Sequence, residues 1–211
     1  PVQARLENMA PKAAAGGAAA RSKLVLVTNT MCPFAQRCWF GFEESGLEYE
    51  LRECELYPKP RWLLEINPKG KVPVMLGEDG KPIVESEVIC DEIAARAGAT
   101  MQGSADPERV ASWRRILNSE LLPAGEDAKF GRPAGLREVL RKMDELVVGP
   151  FVLGDSVSVA DISAAPMFQR LFEEDMVPKE HSQLHLWWKA ISERPAFQKT
   201  KLSPGSYWWW W

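Results

Sequence analysis

With 211 residues, 45% of them hydrophobic and 26% charged, the chain is long enough for one large or two small domains and has the composition of a soluble globular protein. A net charge of −3 leaves no basic footprint for nucleic acid, and no apolar run is long enough to span a bilayer. Four cysteines do not make a disulfide framework in a chain of this size and fit a reducing, cytoplasmic compartment.

Residues 1–22 are rich in Ala and Gly, with Arg5, Lys12 and Arg21, and read as a flexible leader. The remnant of an organellar targeting segment is the alternative; scarce serine and the presence of Glu7 count against it. The opening on Pro1 rather than Met leaves the natural start open.

From residue 23, strand-like and helix-like segments alternate. Lys23–Thr28 reads as a buried strand, Pro33–Gly46 as a helix closed by a glycine C-cap, and Glu48–Cys54 as a second strand with Tyr49, Leu51 and Glu53 on one face. Pro60–Ile66 is a short helix. Val72–Leu76 and Lys81–Val84 form a hairpin across Glu78-Asp79-Gly80, and Ser86–Ala97 is a helix stopped at Gly98. The order βαβ–α–ββα predicts an α/β thioredoxin-like N-terminal domain over residues 23–98, its βαβ part parallel and its last hairpin antiparallel. After a boundary near Gly98–Asp106 the strand signals fade. Helices are predicted over Asp106–Leu122, around Leu136–Val147 with apolar residues at i, i+3, i+4, i+7 spacing, over Val159–Glu173, and over His185–Glu193. Residues 106–200 thus read as an all-α C-terminal helical domain, followed by a Trp-rich tail over 201–211.

The chemistry concentrates at Cys32-Pro33-Phe34-Ala35-Gln36-Arg37, where a cysteine stands between a strand and a helix. Free N–H groups and the positive dipole end there favour thiolate, so the Cys32 pKa is expected to fall. Pro33 suits the first helical turn, where its missing N–H has no intrahelical partner to lose. Ala35 occupies the place of the second thiol of a C-x-x-C pair, which points to one-thiol chemistry with a small-molecule partner. Cys38 lies about 9 Å along the same helix, at ~1.5 Å per residue, beyond the ~7 Å reach of a disulfide. Cys38, Cys54 and Cys90 read as buried small apolar residues, and His181 with His185 as a surface helix pair without a third metal ligand.

Two further pieces suit the same ligand. Pro73 enters a strand opposite the cysteine and is a candidate cis peptide, which would turn the Val72 N–H and C=O toward an extended peptide. Ser86 can cap the next helix and hold a carboxylate, while Glu85 can accept an α-amino group. Singly, these read as an edge-strand proline, a helix cap and a surface charge; in order, they suit a γ-glutamyl tripeptide thiol.

On these residues, from Lys23 to about Phe197, the chain resembles the cytosolic glutathione transferases, and most of all their omega class. The similarity is carried by Cys32-Pro33-Phe34-Ala35-Gln36-Arg37, Lys59-Pro60-x-Trp62, Asn67-Pro68-x-Gly70-x-Val72-Pro73-Val74, Glu85-Ser86 and Phe168-Gln169-Arg170-Leu171. It implies the glutathione transferase fold, with glutathione as co-substrate and no metal. It further implies that Lys59 meets the glycine carboxylate, Val72 and Pro73 the cysteinyl backbone, Glu85 and Ser86 the γ-glutamyl end, and that Phe34 lines the site. Ser158-Val159-Ala160-Asp161 resembles the family's N-capping box, a folding feature.

With Cys32 in place of the Tyr or Ser of other classes, the resemblance implies a thioltransferase working through a Cys32–glutathione mixed disulfide, including deglutathionylation and dehydroascorbate reduction. The acceptors would be small electrophiles, disulfides or glutathionylated proteins, with neither nucleic acid nor membrane as partner, and the protein would be a homodimer. The alternatives are a dehydroascorbate reductase of plant type, an intracellular chloride channel-like protein, and a non-catalytic interaction protein of the same fold. The Tyr207–Trp211 end has no counterpart in the family; it would cover the acceptor pocket, sit at a membrane interface or stay disordered.

Overall fold

A computed structural model describes residues 23–201; the leader of residues 1–22 and the Tyr207–Trp211 end lie outside the described residues. Strand β1 (Leu24–Thr28) pairs in parallel with β2 (Tyr49–Glu53), Leu24 opposite Tyr49 and Thr28 opposite Glu53. On its other side β1 runs antiparallel to β3 (Val74–Leu76), which runs antiparallel to β4 (Pro82–Val84). The sheet order is β2-β1-β3-β4. The parallel pair needs a crossover, and helix α1 (Pro33–Ser45) supplies it, ending at Gly46 in the left-handed conformation with φ 68°. Helices α2 (Arg61–Ile66), α3 (Ser86–Ala97) and the short α4 (Ala99–Gln102) complete this half.

The second half is helical, as its periodicity predicts. It comprises α5 (Pro107–Ile116), a π-helical turn (Leu117–Leu121), α6 (Leu122–Lys129), α7 (Ala134–Asp144), α8 (Val159–Glu173), α9 (Ser182–Ser192) and α10 (Pro195–Thr200). Asp106 caps α5, its Oδ1 accepting the Arg109 N–H at 2.9 Å. The helix expected over Asp106–Leu122 forms, carries a π turn at Leu117–Leu121 and continues to Lys129. Pro123 cannot donate to the Ser119 carbonyl, and its ring crowds that position, so the helix widens just ahead of it. The expected strand Val72–Leu76 begins two residues late because Pro73 has no N–H for the ladder. In β2, an edge strand, Tyr49 stacks on Phe42 with ring centroids 4.5 Å apart, while Leu51 stays exposed.

Successive residues of β1 face opposite ways and enter two apolar clusters. Val27 joins a small cluster with Ala35, Cys54, Leu63, Val72 and Val74. Leu24 and Leu26 join a large one that runs through Phe40 and Phe42 of α1 into Trp113, Phe168 and Trp187 of the helical half. The halves are therefore packed as one body. Phe40 meets Phe197 edge-on at 5.2 Å, Lys199 Nζ reaches Glu43 Oε2 at 2.7 Å, and the Arg194 guanidinium is held by Glu44. No helix among the described residues is long and apolar enough to cross a membrane.

The Ser158–Asp161 capping box forms at the start of α8. The Asp161 carboxylate is fully buried and accepts from the N–H groups of Val152 and Ser158, the Ser158 hydroxyl and the Trp187 indole, all between 2.8 and 2.9 Å. Burial pushes its pKa up and these donors pull it down, leaving it above the ordinary carboxylate value. Asp161→Ala strands all of these donors in the core and is expected to lower stability by about 3 kcal/mol, read as a lower melting temperature by calorimetry.

Candidate active site

Cys32 is the N-cap residue of α1 and Pro33 the first helical residue. The Cys32 carbonyl accepts the N–H of Ala35 at 3.1 Å and of Gln36 at 2.8 Å, while its own N–H donates to the Asn29 carbonyl at 2.9 Å. The Sγ lies 3.9 Å from the Val72 carbonyl oxygen, across a Val72–Pro73 peptide bond that is cis. Two segments far apart in sequence thus meet at the sulfur.

The expected fall in the Cys32 pKa is not found. Burial pushes the thiol above its ordinary value; the N–H groups of Ala35 and Phe34 and the guanidinium groups of Arg170 and Arg37 pull the other way without cancelling it. The helix terminus acts as the sequence reading supposed, but desolvation in the half-buried position between α1 and Val72 outweighs it.

Beside Cys32 is a cleft of about 170 Å³ lined by Phe34, Asn67, Lys71, Val72, Pro73, Glu85 and Ser86. The fold therefore brings together Phe34, Val72, Pro73, Glu85 and Ser86, as expected from sequence, with Cys32 reached through Val72. Lys59 is outside the lining. Its side chain lies over Gly70, where an added Cβ would come within 2.8 Å of Lys59 Cδ and 3.2 Å of Nζ. Gly70 also sits at φ 59°, a conformation open mainly to glycine, so this close approach of side chain to backbone requires that residue.

Asn67 and Lys71 line the cleft although sequence reasoning gave neither a role. Asn67 is buried and organises the turn: its Nδ2 donates to the Lys71 carbonyl at 2.8 Å, its Oδ1 accepts the Lys69 N–H at 3.2 Å, and its carbonyl accepts the Gly70 N–H at 2.8 Å. Its place in the motif Asn67-Pro68-x-Gly70 was the available signal.

Ser86 was expected to cap α3 but is its first helical residue; Glu85 holds the cap position at φ 70°, with no side-chain capping bond. The Glu85 carboxylate is exposed and accepts from Lys69 Nζ at 2.8 Å. That hydrogen bond and the lysine charge hold its pKa below the ordinary value, so it is anionic at neutral pH. An exposed pair of this kind contributes little and is readily exchanged for a ligand ammonium.

Beneath the cleft, Arg37 is fully buried, pairs with Glu87 and lies 5.1 Å from the Phe34 ring centre. Glu87 also pairs with Arg114 of α5, whose Nη1 reaches Asp91 at 2.6 Å. The histidines expected on the surface are engaged instead: His181 is buried, and His185 packs edge-on against Phe172 with its Nε2 3.2 Å from the Pro178 carbonyl.

The family model "Glutathione S-transferase, N-terminal domain" matches residues 31–96, and "Glutathione S-transferase, C-terminal domain" matches residues 127–198. The chain belongs to the glutathione S-transferase family. Among its relatives is a rice (Oryza sativa subsp. japonica) protein, "Probable glutathione S-transferase DHAR1, cytosolic", 32% identical over 179 residues that cover 81% of this chain and 84% of that one. "Glutathione S-transferase omega-1" of Mus musculus is 31% identical over 192 residues, covering 83% of this chain and 79% of that one. Among solved structures, glutathione transferase Omega 3C from Trametes versicolor superposes with a TM-score of 0.75 at 26% identity, covering 87% of this chain and 91% of that one. This glutathione S-transferase thus carries a cysteine beside a cleft where the fold supplies a backbone carbonyl, a carboxylate and a helix start.

With its pKa above the ordinary thiol value, the free protein's Cys32 is mostly thiol at neutral pH. Its alkylation by iodoacetamide is expected to keep accelerating from neutrality through about pH 9, without a plateau near pH 7, when followed by mass spectrometry of the Cys32 peptide.

Proposed function

We propose that this protein is a glutathione-dependent thioltransferase and reductase in which Cys32 is the nucleophile. The observation that carries the reading is the meeting of the Cys32 sulfur with the Val72 carbonyl at the edge of the Phe34–Ser86 cleft. The Val72 backbone offers an extended thiol peptide a hydrogen-bonding edge next to the reacting sulfur. The α3 start at Ser86 suits the γ-glutamyl carboxylate and Glu85 its ammonium, with Lys69 as the exchangeable counter-ion. Lys71 in the lining, or Lys59 over Gly70, would take the glycine carboxylate.

In the first step the Cys32 thiolate attacks the glutathione sulfur of a glutathionylated acceptor. The Cys32–glutathione disulfide forms, the old disulfide breaks, and the acceptor leaves as a thiolate that takes up a proton. In the second, a glutathione thiolate attacks the same glutathione sulfur, releasing oxidised glutathione and regenerating the Cys32 thiolate. With dehydroascorbate, the acceptor takes two electrons and two protons, and two glutathione molecules become one disulfide. The names of the rice and mouse relatives support this reading. Glutathionylated proteins as acceptors, a cytoplasmic location and a homodimeric state are part of the same proposal. The chloride channel-like alternative, which needs the first helix to leave the core, is disfavoured by the full burial of Phe40 and Phe42.

Two variants test it. Cys32→Ala is expected to lower reduction of β-hydroxyethyl disulfide and of dehydroascorbate by at least about a hundredfold while retention on immobilised glutathione persists. Absence of turnover by the wild type would sink the proposal. Glu85→Gln is expected to raise the KM for glutathione several-fold with a smaller change in kcat, in steady-state assays at saturating disulfide.

A further inference from the structure

The geometry points to Arg170, supplied by the helical domain, as a positioning residue that favours the reactive anionic form of the Cys32 sulfur against the burial that opposes it. The inference rests on the reading of Cys32 as nucleophile. Cys32 and Gln36 stand four residues apart on α1, one turn along the same face, and the Gln36 N–H donates to the Cys32 carbonyl at 2.8 Å. The Gln36 side chain is gripped by two consecutive residues of α8. Its Oε1 accepts from Arg170 Nη1 at 3.0 Å, and its Nε2 donates to Gln169 Oε1 at 2.9 Å. Arg170 Nη1 also donates to the Pro166 carbonyl, one turn back on its own helix. Both Gln36 and Arg170 are almost fully buried, at 2% and 1% exposure. The guanidinium is thus fixed in a water-poor place against the turn that carries the cysteine.

Burial brings the Arg170 guanidinium down to about 10, so it keeps its charge at neutral pH. In such surroundings a fixed charge acts more strongly than in water. The charged groups facing Cys32 are Arg170 from α8 and Arg37 from α1, and Arg170 exerts the larger pull. Arg37 is matched by Glu87, which Arg114 shares. The carboxylate acting on Arg170 is Glu173, which accepts from Gln169 Nε2 at 3.0 Å. Cys38, the neighbouring titratable group on α1, is kept neutral by burial and by Cys90.

The test is the pH profile of Cys32 alkylation by iodoacetamide, from about pH 6 to about pH 11, in wild type, Arg170→Gln, Arg170→Met and Arg170→Lys. Arg170→Gln removes the charge and leaves a shorter, uncharged hydrogen-bonding side chain in its place. Losing a neighbouring cation is expected to raise the thiol midpoint by about one pH unit. This cuts the thiolate fraction about tenfold, and the greater nucleophilicity of the more basic thiolate returns about threefold of that. The neutral variants should therefore react about threefold more slowly up to about pH 9, where the thiol is mostly protonated in every variant, and approach or pass wild type towards about pH 11. Arg170→Lys should stay near wild type. A neutral variant that melts like wild type and shows its profile, or is slower by the same factor at every pH, overturns the inference. If neither neutral variant folds, Gln36→Ala, which removes the tether and leaves the charge, carries the test: slowing below about pH 9 that fades towards about pH 11 supports the inference and an unchanged profile overturns it. A wild-type Cys32 that neither alkylates nor forms a glutathione adduct overturns the thioltransferase reading and this inference with it. Wild-type reactivity with an unchanged profile in Arg170→Gln overturns this inference alone.

Discussion

Helix α1 turns polar residues inward, and much of the structure follows from that. Gln36 and Arg37 are buried on a helix whose other inward residues include Ala35, Cys38, Phe40 and Phe42. A buried amide and a buried guanidinium are tolerated only where partners meet them. The partners come from three helices: Glu87 on α3, directly and with Arg114 of α5 behind it, and Gln169 with Arg170 on α8. The thioredoxin-like half cannot satisfy this helix alone. The helical half supplies an apolar wall for Phe40 and Phe42, and it also meets the Gln36 amide on the turn that follows Cys32.

The same arrangement explains why the cysteine is not the freely ionised thiol that its position at a helix start suggests. A sulfur held close to the Val72 carbonyl and largely buried loses water, and water is the best solvent for a thiolate. The N–H groups of the first turn and the two guanidinium groups offset part of that loss. A sheltered sulfur trades ionisation in the free protein for a site in which fixed dipoles and charges act with little screening. What the fold provides is orientation: the turn organised by Asn67 and the start of α3 face one cleft, and the Cys32 cap sets its sulfur against the Val72 carbonyl at that cleft's edge.

Most of this architecture is readable from the chain because local signals agree with each other. Gly46, Asp79-Gly80 and Asp106-Pro107 mark turns and caps where the structure has them, and the alternation in Leu24–Thr28 splits between two cores as a central strand must. The residues around the cleft are legible as an ordered set of motifs, and five of the expected residues line it. What escaped depends on tertiary placement. Whether Lys59 or Lys71 faces the cleft turns on how the Asn67–Lys71 turn packs, and the π turn ahead of Pro123 leaves no mark in the helical periodicity. The burial that raises the Cys32 pKa belongs to no local pattern, since the sulfur is set against Val72, forty positions away.

The remaining cysteines show why the chemistry depends on a thiol from outside. Cys38 and Cys90 bring their sulfurs within 3.9 Å of each other beneath the site, so a second and third thiol are not far from Cys32 in space. Yet Cys38 is spent on structure: its Sγ lies 3.6 Å from the Phe34 carbonyl and 3.5 Å from that of Ser86, bridging the starts of the two helices that shape the cleft. Burial, together with the neighbouring Cys90, pushes its pKa well up, which removes it as an attacking thiolate. Ala35, buried one turn before it, stands where a redox pair would keep its second sulfur. A thiol that resolves a Cys32 mixed disulfide must therefore arrive through the cleft. The backbone edge at Val72 and the charges at Glu85 and Lys71 are what such a thiol peptide would meet there, so the single-cysteine motif and the shape of the cleft express one requirement.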